Sequence, residues 1–400
     1  MIKIVLKNPI VDEQEYFNSL KLLILHRLNI LKLSLQHLSG TAIDENNLTF
    51  DSTKVVTKKI IAEIDSNQII GARFTKGFYS NTVQNYLSQT NNLAIINLIG
   101  LIDLVDFLLD ENNIKELVTC NANNLENHRN ELMSNNRLTD CDIPILGLAF
   151  DYEFKEINSE IKNFFREKNF VKYCPYCNLK EIEYVATESG KTADSFDLDH
   201  FFDKVKSPLL AYSMYNLIPA DKTCNSSYNK GRIPFTDKFH LNPYISGVGH
   251  HLQFIPQLNK INEVLDLLLI VDNDQTFRKK LIGNNPDVNE ECKHGNINVF
   301  KLKSKYRKKI EDAEKVLRKF ENEEKGRRSI MGFLSKIIGV NNEENYLNWY
   351  KKNIDTSFYP SEFHLQRYSK LNRDIHDFYY SKSTKSRNKY IQKLIEDNIG

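Results

Sequence analysis

A chain of 400 residues is longer than one core usually serves and points to two or three domains. Hydrophobic content of 41%, charged content of 26% and only 15 Gly, 10 Pro and 6 Cys exclude collagen-like, disordered and disulfide-scaffold classes. The net charge of +2 hides an asymmetry: residues 301–400 hold 23 Lys and Arg against 14 Asp and Glu, whereas residues 1–300 hold 31 against 38. A basic C-terminal third fits a nucleic-acid-facing surface and, equally, a solvated helical face.

In chain order, residues 13–38 place Leu20, Leu23, Ile24, Leu28, Leu31 and Leu35 near helical spacing with no internal Gly or Pro, which predicts a long helix. After a break near Ser39 and Gly40, helices are predicted at Lys58–Asp65, Val83–Gln89, Leu93–Leu109, Ile114–Cys120 and Leu125–Met133. Leu93–Leu109 is the most apolar run, but Asn97, Asp103 and Asp106 interrupt it, so a buried helix is expected rather than a membrane span. No signal-peptide pattern opens the sequence, and a reducing cytoplasm is the expected compartment.

Residues 152–170 read as a helix that delivers the chain into Cys174-Pro175-Tyr176-Cys177. Beyond Arg232, Leu241–Tyr244 is turn-rich, His251–Ile255 reads as a short strand, and Leu265–Val271 as a strand or a helix. From Val299 a long helix is predicted, with Phe300, Leu302, Tyr306, Ile310, Ala313, Val316, Leu317 and Phe320 on its apolar face. Tyr346–Tyr350, Phe363–Leu371, Ile375–Tyr380 and Lys389–Ile395 suggest further helices. The expected fold class is mainly α, with a helical N-terminal region over 1–150, a distinct central module over 151–250 and a basic, mostly helical C-terminal region over 251–400.

The chemistry concentrates between Cys174 and Arg232. A Cys-x-x-Cys knuckle presents two thiolates to one ion, and Cys224 adds a third soft donor. A second full knuckle needs another cysteine at position 221, where Asp221 stands. Either Asp221 completes a zinc site, another residue does, or the site is degraded. Cys120, Cys141 and Cys292 are isolated and read as packed or free thiols.

The second half of the constellation is Asp197-Leu198-Asp199-His200, then Asn216-Leu217-Ile218-Pro219, then Asn225. Hydrolysing a phosphodiester near neutral pH takes an activated water and a cation near the leaving oxygen. A neutral His200 can accept the proton, and Asp199 with the amide oxygen of Asn225 suits one hard cation such as Mg2+. Asn216 fits a loop residue that ties two chain segments together through backbone hydrogen bonds. Lys204, Lys222, Lys230 and Arg232 flank the centre as candidate phosphate contacts or as ordinary surface charge.

These motifs, in this order, resemble the HNH endonuclease domain, the ββα-metal finger. Leu198–Lys204, Pro208–Pro219 and Cys224–Gly231 are especially similar to HNH proteins of bacterial anti-phage defence systems, and Leu241–Tyr244 with Val299–Leu302 more weakly so. The resemblance implies a small central ββα-metal, treble-clef-like module within the mainly α chain. It implies His200 as general base, Asp199 and Asn225 as ligands of a catalytic Mg2+ or Mn2+, and Asn216 as the loop-restraining residue. Cys174, Cys177 and Cys224 match structural Zn2+ positions. Two departures stand out: Asp203 where the subgroup often has Pro, and Asp221 in place of a cysteine.

The expected function is therefore a metal-dependent DNA endonuclease, an effector of antiviral defence acting with a protein partner or sensor, and a homodimer if both strands are cut together. The competing readings are an RNA endonuclease, acting for example on tRNA, and a zinc-stapled nucleic-acid-binding module without cleavage. Tyr306, Tyr350, Tyr368, Phe378 and Tyr379 lie among the basic residues as candidates for stacking unpaired bases or for ordinary core.

Overall fold

The leucine ladder of the N-terminal segment folds as the helix α1, Pro9–Ser39, in which Tyr16, Leu20, Ile24, Leu28, Leu31 and Leu35 are at most 1% exposed. Their spacing of three and four residues keeps them on one face, and Phe17, Leu25, Arg27, Asn29 and Lys32 beside it are buried as well. The computed structural model describes residues 1–39, 96–153, 155–183, 194–231, 233–261, 263–283, 294–334 and 360–381. The helices expected at Lys58–Asp65, Val83–Gln89, Tyr346–Tyr350 and Lys389–Ile395 lie outside the described residues, as do Arg232, Cys292 and Tyr350.

Two compact units result. The helical unit comprises Leu6–Asn169 and Leu198–Ile218; the knuckle unit comprises Met1–Val5, Phe170–Asp197 and Pro219–Gly400. Among the described residues the chain is mainly helical, with two small two-stranded sheets.

In the helical unit, α1 packs against α2 (Leu98–Leu108), α3 (Glu111–Thr119), α5 (Ile143–Ala149) and α6 (Lys155–Lys168), while α4 spans Leu125–Asn135. The apolar run expected near Leu93–Leu109 is helical from Leu98, because Asn97 caps it: its Oδ1 accepts from the Gly100 N–H at 2.9 Å. Arg27 is buried within α1, and its guanidinium donates to the carbonyls of Leu148 and, at 2.7 Å, Ala149. A cation on the last carbonyls of α5 satisfies orphan acceptors and complements the helix dipole. No helix among the described residues is long and apolar enough to cross a membrane.

In the knuckle unit, β3 (Leu252–Leu258) and β4 (Val264–Val271) form an antiparallel hairpin from Leu252↔Val271 to Leu258↔Val264, with an irregularity after Gln257. The segment Leu265–Val271, open between strand and helix in the sequence, is a strand because it pairs along its length with β3, where Leu252, Phe254 and Pro256 alternate into the core, while Val264 and Leu267 are the buried residues of β4. This hairpin packs on α12 (Ser369–Ser381) and α11 (Ile310–Leu334), and α8 (Gln275–Ile282) follows β4 in the chain.

The long helix expected from Val299 is instead three pieces: α9 (Asn296–Val299), α10 (Leu302–Arg307) and α11. Lys301 adopts φ 51° and breaks the first junction. The break has a packing cause. Phe300 stacks on Tyr176 at 4.2 Å, and Tyr306 turns to donate to the Cys177 carbonyl at 2.7 Å. Tyr306 is 2% exposed, so it is core and not a stacking platform for bases.

The remaining sheet pairs β1 (Phe196–His200) with β2 (Leu217–Asp221), and a single turn, α7 (Lys222–Asn225), follows at once. Of the helices expected in the C-terminal tail, Phe363–Leu371 splits into a 3-10 turn at Pro360–Leu365 and the start of α12, parted at Tyr368 with φ 55°.

Candidate active site and cysteine cluster

The loop between β1 and β2 is built around Asn216, which is fully buried. Its Oδ1 accepts from the Phe202 N–H at 2.7 Å, and its Nδ2 donates to the Phe202 carbonyl at 3.1 Å and the Leu210 carbonyl at 2.9 Å. The backbone adds Phe201 N–H to Asn216 O at 2.8 Å. Such a saturated buried amide fixes the two loop ends against each other.

Asp203 rigidifies the same loop without the ring of a proline. Its Oδ1 accepts from the N–H groups of Val205 at 2.7 Å and Lys206 at 3.0 Å, which folds an Asx turn. The loop is then anchored to the helices of its unit. Tyr16 Oη donates to Tyr212 O at 2.7 Å, Tyr212 Oη to Asp151 O at 2.9 Å, and Ser213 Oγ to Leu117 O at 2.9 Å.

His200 closes β1 and is 8% exposed; Asp199 beside it is 3% exposed. The Nε2 of His200 lies 3.1 Å from the carbonyl oxygen of Ala211. A carbonyl can only accept, so Nε2 carries the hydrogen and the neutral ring keeps its lone pair on Nδ1. The ring of Tyr152 meets the imidazole edge-to-face at 4.4 Å and 89°. Lys204 sits 5.1 Å over that tyrosine ring and pairs with Glu153.

In the knuckle unit, Cys174-Pro175-Tyr176-Cys177 makes a tight reversal. Asn178 N–H returns to Cys174 O at 2.7 Å, and Cys174 N–H donates to Lys180 O at 2.8 Å. Asn178 tolerates the left-handed φ of 53° that ends the knuckle. Its Nδ2 donates to the carbonyls of Phe363 and Gln366, each at 3.0 Å, and its Oδ1 accepts from Ser369 Oγ at 3.1 Å.

The thiols of Cys174, Cys177 and Cys224 are buried, unoxidised and within 4.8 Å of one another. Hydrogen bonds from the Cys174 and Cys224 thiols hold Cys177 well below the ordinary thiol range, while burial pushes Cys174 up. Lys305 places its Nζ 3.2 Å from Cys224 Sγ. Burial alone lowers the Lys305 ammonium, but the neighbouring sulfurs outweigh it and keep it charged. Three thiolates around Zn2+ leave one negative charge, which the Lys305 ammonium beside Cys224 offsets in this buried setting. The donor set therefore fits a soft divalent metal such as zinc.

Of the three alternatives for the fourth position, completion by Asp221 is the one the geometry does not favour. Its Oδ1 accepts from Thr223 N–H at 3.1 Å and caps α7, and it is not a member of the three-cysteine group. A carboxylate one residue before a helix turn is drawn to the unsatisfied N–H groups of that turn. Lys230 also departs from expectation: it is 4% exposed and its Nζ lies 4.9 Å over the Phe235 ring, so it is not a surface phosphate contact. Lys222 is exposed, and Lys204 is partly so.

The predicted catalytic residues divide between the units. Asp199, His200 and Asn216 belong to the helical unit; Asn225, half-buried at the end of α7, belongs to the knuckle unit with the three cysteines. Sequence reasoning missed Tyr152, the Ala211 carbonyl and Lys305. The first two carry no pattern, and Lys305 sat in a run of basic residues 81 positions from the sulfur it meets. Comparison of the chain with protein-family models, with curated proteins and with solved structures gives no match.

Proposed function

We propose that this protein is a metal-dependent endonuclease of HNH type that hydrolyses phosphodiester bonds in DNA. One observation carries the reading: the Asn216-stapled loop presents the Ala211 carbonyl to Nε2 of His200, which leaves Nδ1 as the basic nitrogen. A general base works best with its tautomer and ring plane set beforehand. In this reading Nδ1 takes the proton of the attacking water, while Tyr152 and the Ala211 carbonyl hold the ring. The resemblance assigns Asp199 and Asn225 as oxygen donors of the kind Mg2+ or Mn2+ prefers, and a divalent cation would stabilise the charge that develops on phosphate and leaving oxygen. Lys222 and Lys204 remain candidate phosphate contacts. The resemblance adds the proposal of a role in anti-phage defence with a protein sensor or as a homodimer.

The test is digestion of supercoiled plasmid, single-stranded DNA and total RNA by the full chain with Mg2+ or Mn2+. Nicking of plasmid that His200→Ala reduces by at least about 10²-fold, the scale of a lost general base, supports the reading. Equal cleavage by His200→Ala removes the catalytic assignment. Cleavage of RNA alone moves the substrate class to RNA. Bound zinc with no cleavage under either metal leaves a zinc-stapled binding module.

A further inference from the structure

The open end of the β3–β4 hairpin brings together two imidazoles and a carboxylate that the nuclease reading does not use. The chain enters β3 through a turn in which His251 N–H donates to Val248 O at 2.9 Å and Gly249 takes the left-handed φ of 47°. That reversal sets the rings of His250 and His251 4.1 Å apart. Asp272 N–H donates to His251 O at 3.1 Å, which extends the ladder one step past Leu252↔Val271 and makes His251 and Asp272 cross-strand neighbours.

The side chains at this end are held in place. Asp272 Oδ2 accepts from His251 Nδ1 at 2.7 Å, and its Oδ1 accepts from Asp274 N–H at 3.1 Å. The His251 imidazole also stacks on Phe277 at 3.6 Å and 13°, which fixes its plane. His250 is exposed, and the other two are partly so, so an ion arrives from solvent without opening the fold. One ligand atom from each of the three residues lies within 4.8 Å of the others.

We propose that His250, His251 and Asp272 form a solvent-facing site for a borderline divalent transition-metal ion of the zinc type. Two imidazoles and one carboxylate are donors that such ions favour over Mg2+ or Ca2+, which take oxygen ligands. Three protein donors leave a further coordination position for water or a small anion. The ion joins the turn before β3 to the end of β4 and so clips the open end of the hairpin. This site is separate from the thiolate cluster in both ligand type and position in the chain, and it does not depend on nuclease activity.

Zinc binding by the full chain, measured by equilibrium dialysis against ZnCl2 alone, tests the proposal. The parent protein binds one more equivalent than the His250→Gln/His251→Gln double variant, and excess Mg2+ does not displace that equivalent. Cys174→Ser retains it while losing zinc elsewhere. His250→Gln, a change at an exposed side chain, lowers affinity at this site by at least about tenfold. Asp272→Asn lowers it as well, and thermal unfolding confirms that each variant is folded. Equal zinc uptake by the parent and the folded double variant overturns the proposal, as does an unchanged affinity in His250→Gln.

Discussion

Asn216 grips Phe202 from both sides of one peptide unit, accepting from its N–H at 2.7 Å and donating to its carbonyl at 3.1 Å. Because the second N–H of the same amide reaches Leu210, a single side chain sets where the loop carrying Ala211 lies, and thereby what His200 meets. Asn216→Ala strands these three backbone groups in a buried setting. An unpaired buried polar group costs about 1–3 kcal/mol, so the expected loss is about 2–4 kcal/mol once relaxation is allowed. Urea unfolding of the two proteins measures it. A loss under about 0.5 kcal/mol, the scale of an ordinary surface substitution, counts against this role.

Zinc retention should depend on Lys305 as well as on the cysteines. Cys177→Ser removes the thiolate that the other two thiols stabilise, and loss of the bound ion is expected. Lys305→Gln removes the charge 3.2 Å from Cys224 while sparing every sulfur. A charge-assisted hydrogen bond of this kind contributes about 1.5–3 kcal/mol, so zinc affinity should fall by about tenfold or more. Competition with a chromophoric chelator reads this directly. Unchanged affinity in Lys305→Gln removes the charge-balance argument.

The buried Lys370–Asp374 pair predicts a pH signature. Burial raises the Asp374 carboxyl to about 6, against the opposing pull of Lys370 and of its hydrogen bond from Phe254 N–H. A folded-state value above the unfolded one means the native state binds more protons in the interval between them. Stability from this group is therefore present below about 4, the unfolded carboxylate value, and is lost as pH rises through about 6. Asp374→Asn keeps an acceptor for Phe254 and removes the titration. The parent's urea midpoint should fall relative to that of the variant as pH rises from about 4 to about 6; a difference independent of pH, or one of the opposite sign, contradicts it.

His240 acts with the opposite sign. It is fully buried, stacked on Phe235 at 3.9 Å, and burial lowers its value to about 4. Its contribution is present above the unfolded value of about 6.5 and is lost as pH falls through about 4. NMR titration of the imidazole should show it neutral at pH 5. A protonated ring at that pH refutes the assignment.

Local patterning by itself determines much of this protein. The spacing from Leu20 to Leu35 dictated a helix and its buried face, since periodicity and burial are the same constraint on one element. Likewise Cys174-Pro175-Tyr176-Cys177 sufficed to mark a knuckle, because it acts on neighbouring backbone, whereas Asn216 acts on Phe202 and Leu210, 14 and 6 residues away. The interruptions at Lys301 and Tyr368 were hidden: they follow from the partners Phe300 and Asn178 find elsewhere in the chain.

The same division runs through the functional residues. Residue type and order between Cys174 and Asn225 pointed to metal and proton chemistry, because thiolate, carboxylate, imidazole and amide have fixed donor properties. Which groups act on which was decided only by folding. Asp221 was drawn to the N–H groups of α7, Lys230 to the Phe235 face, and Lys305 to Cys224. Polar side chains settle where their charge is best compensated in three dimensions, and sequence distance says nothing about that.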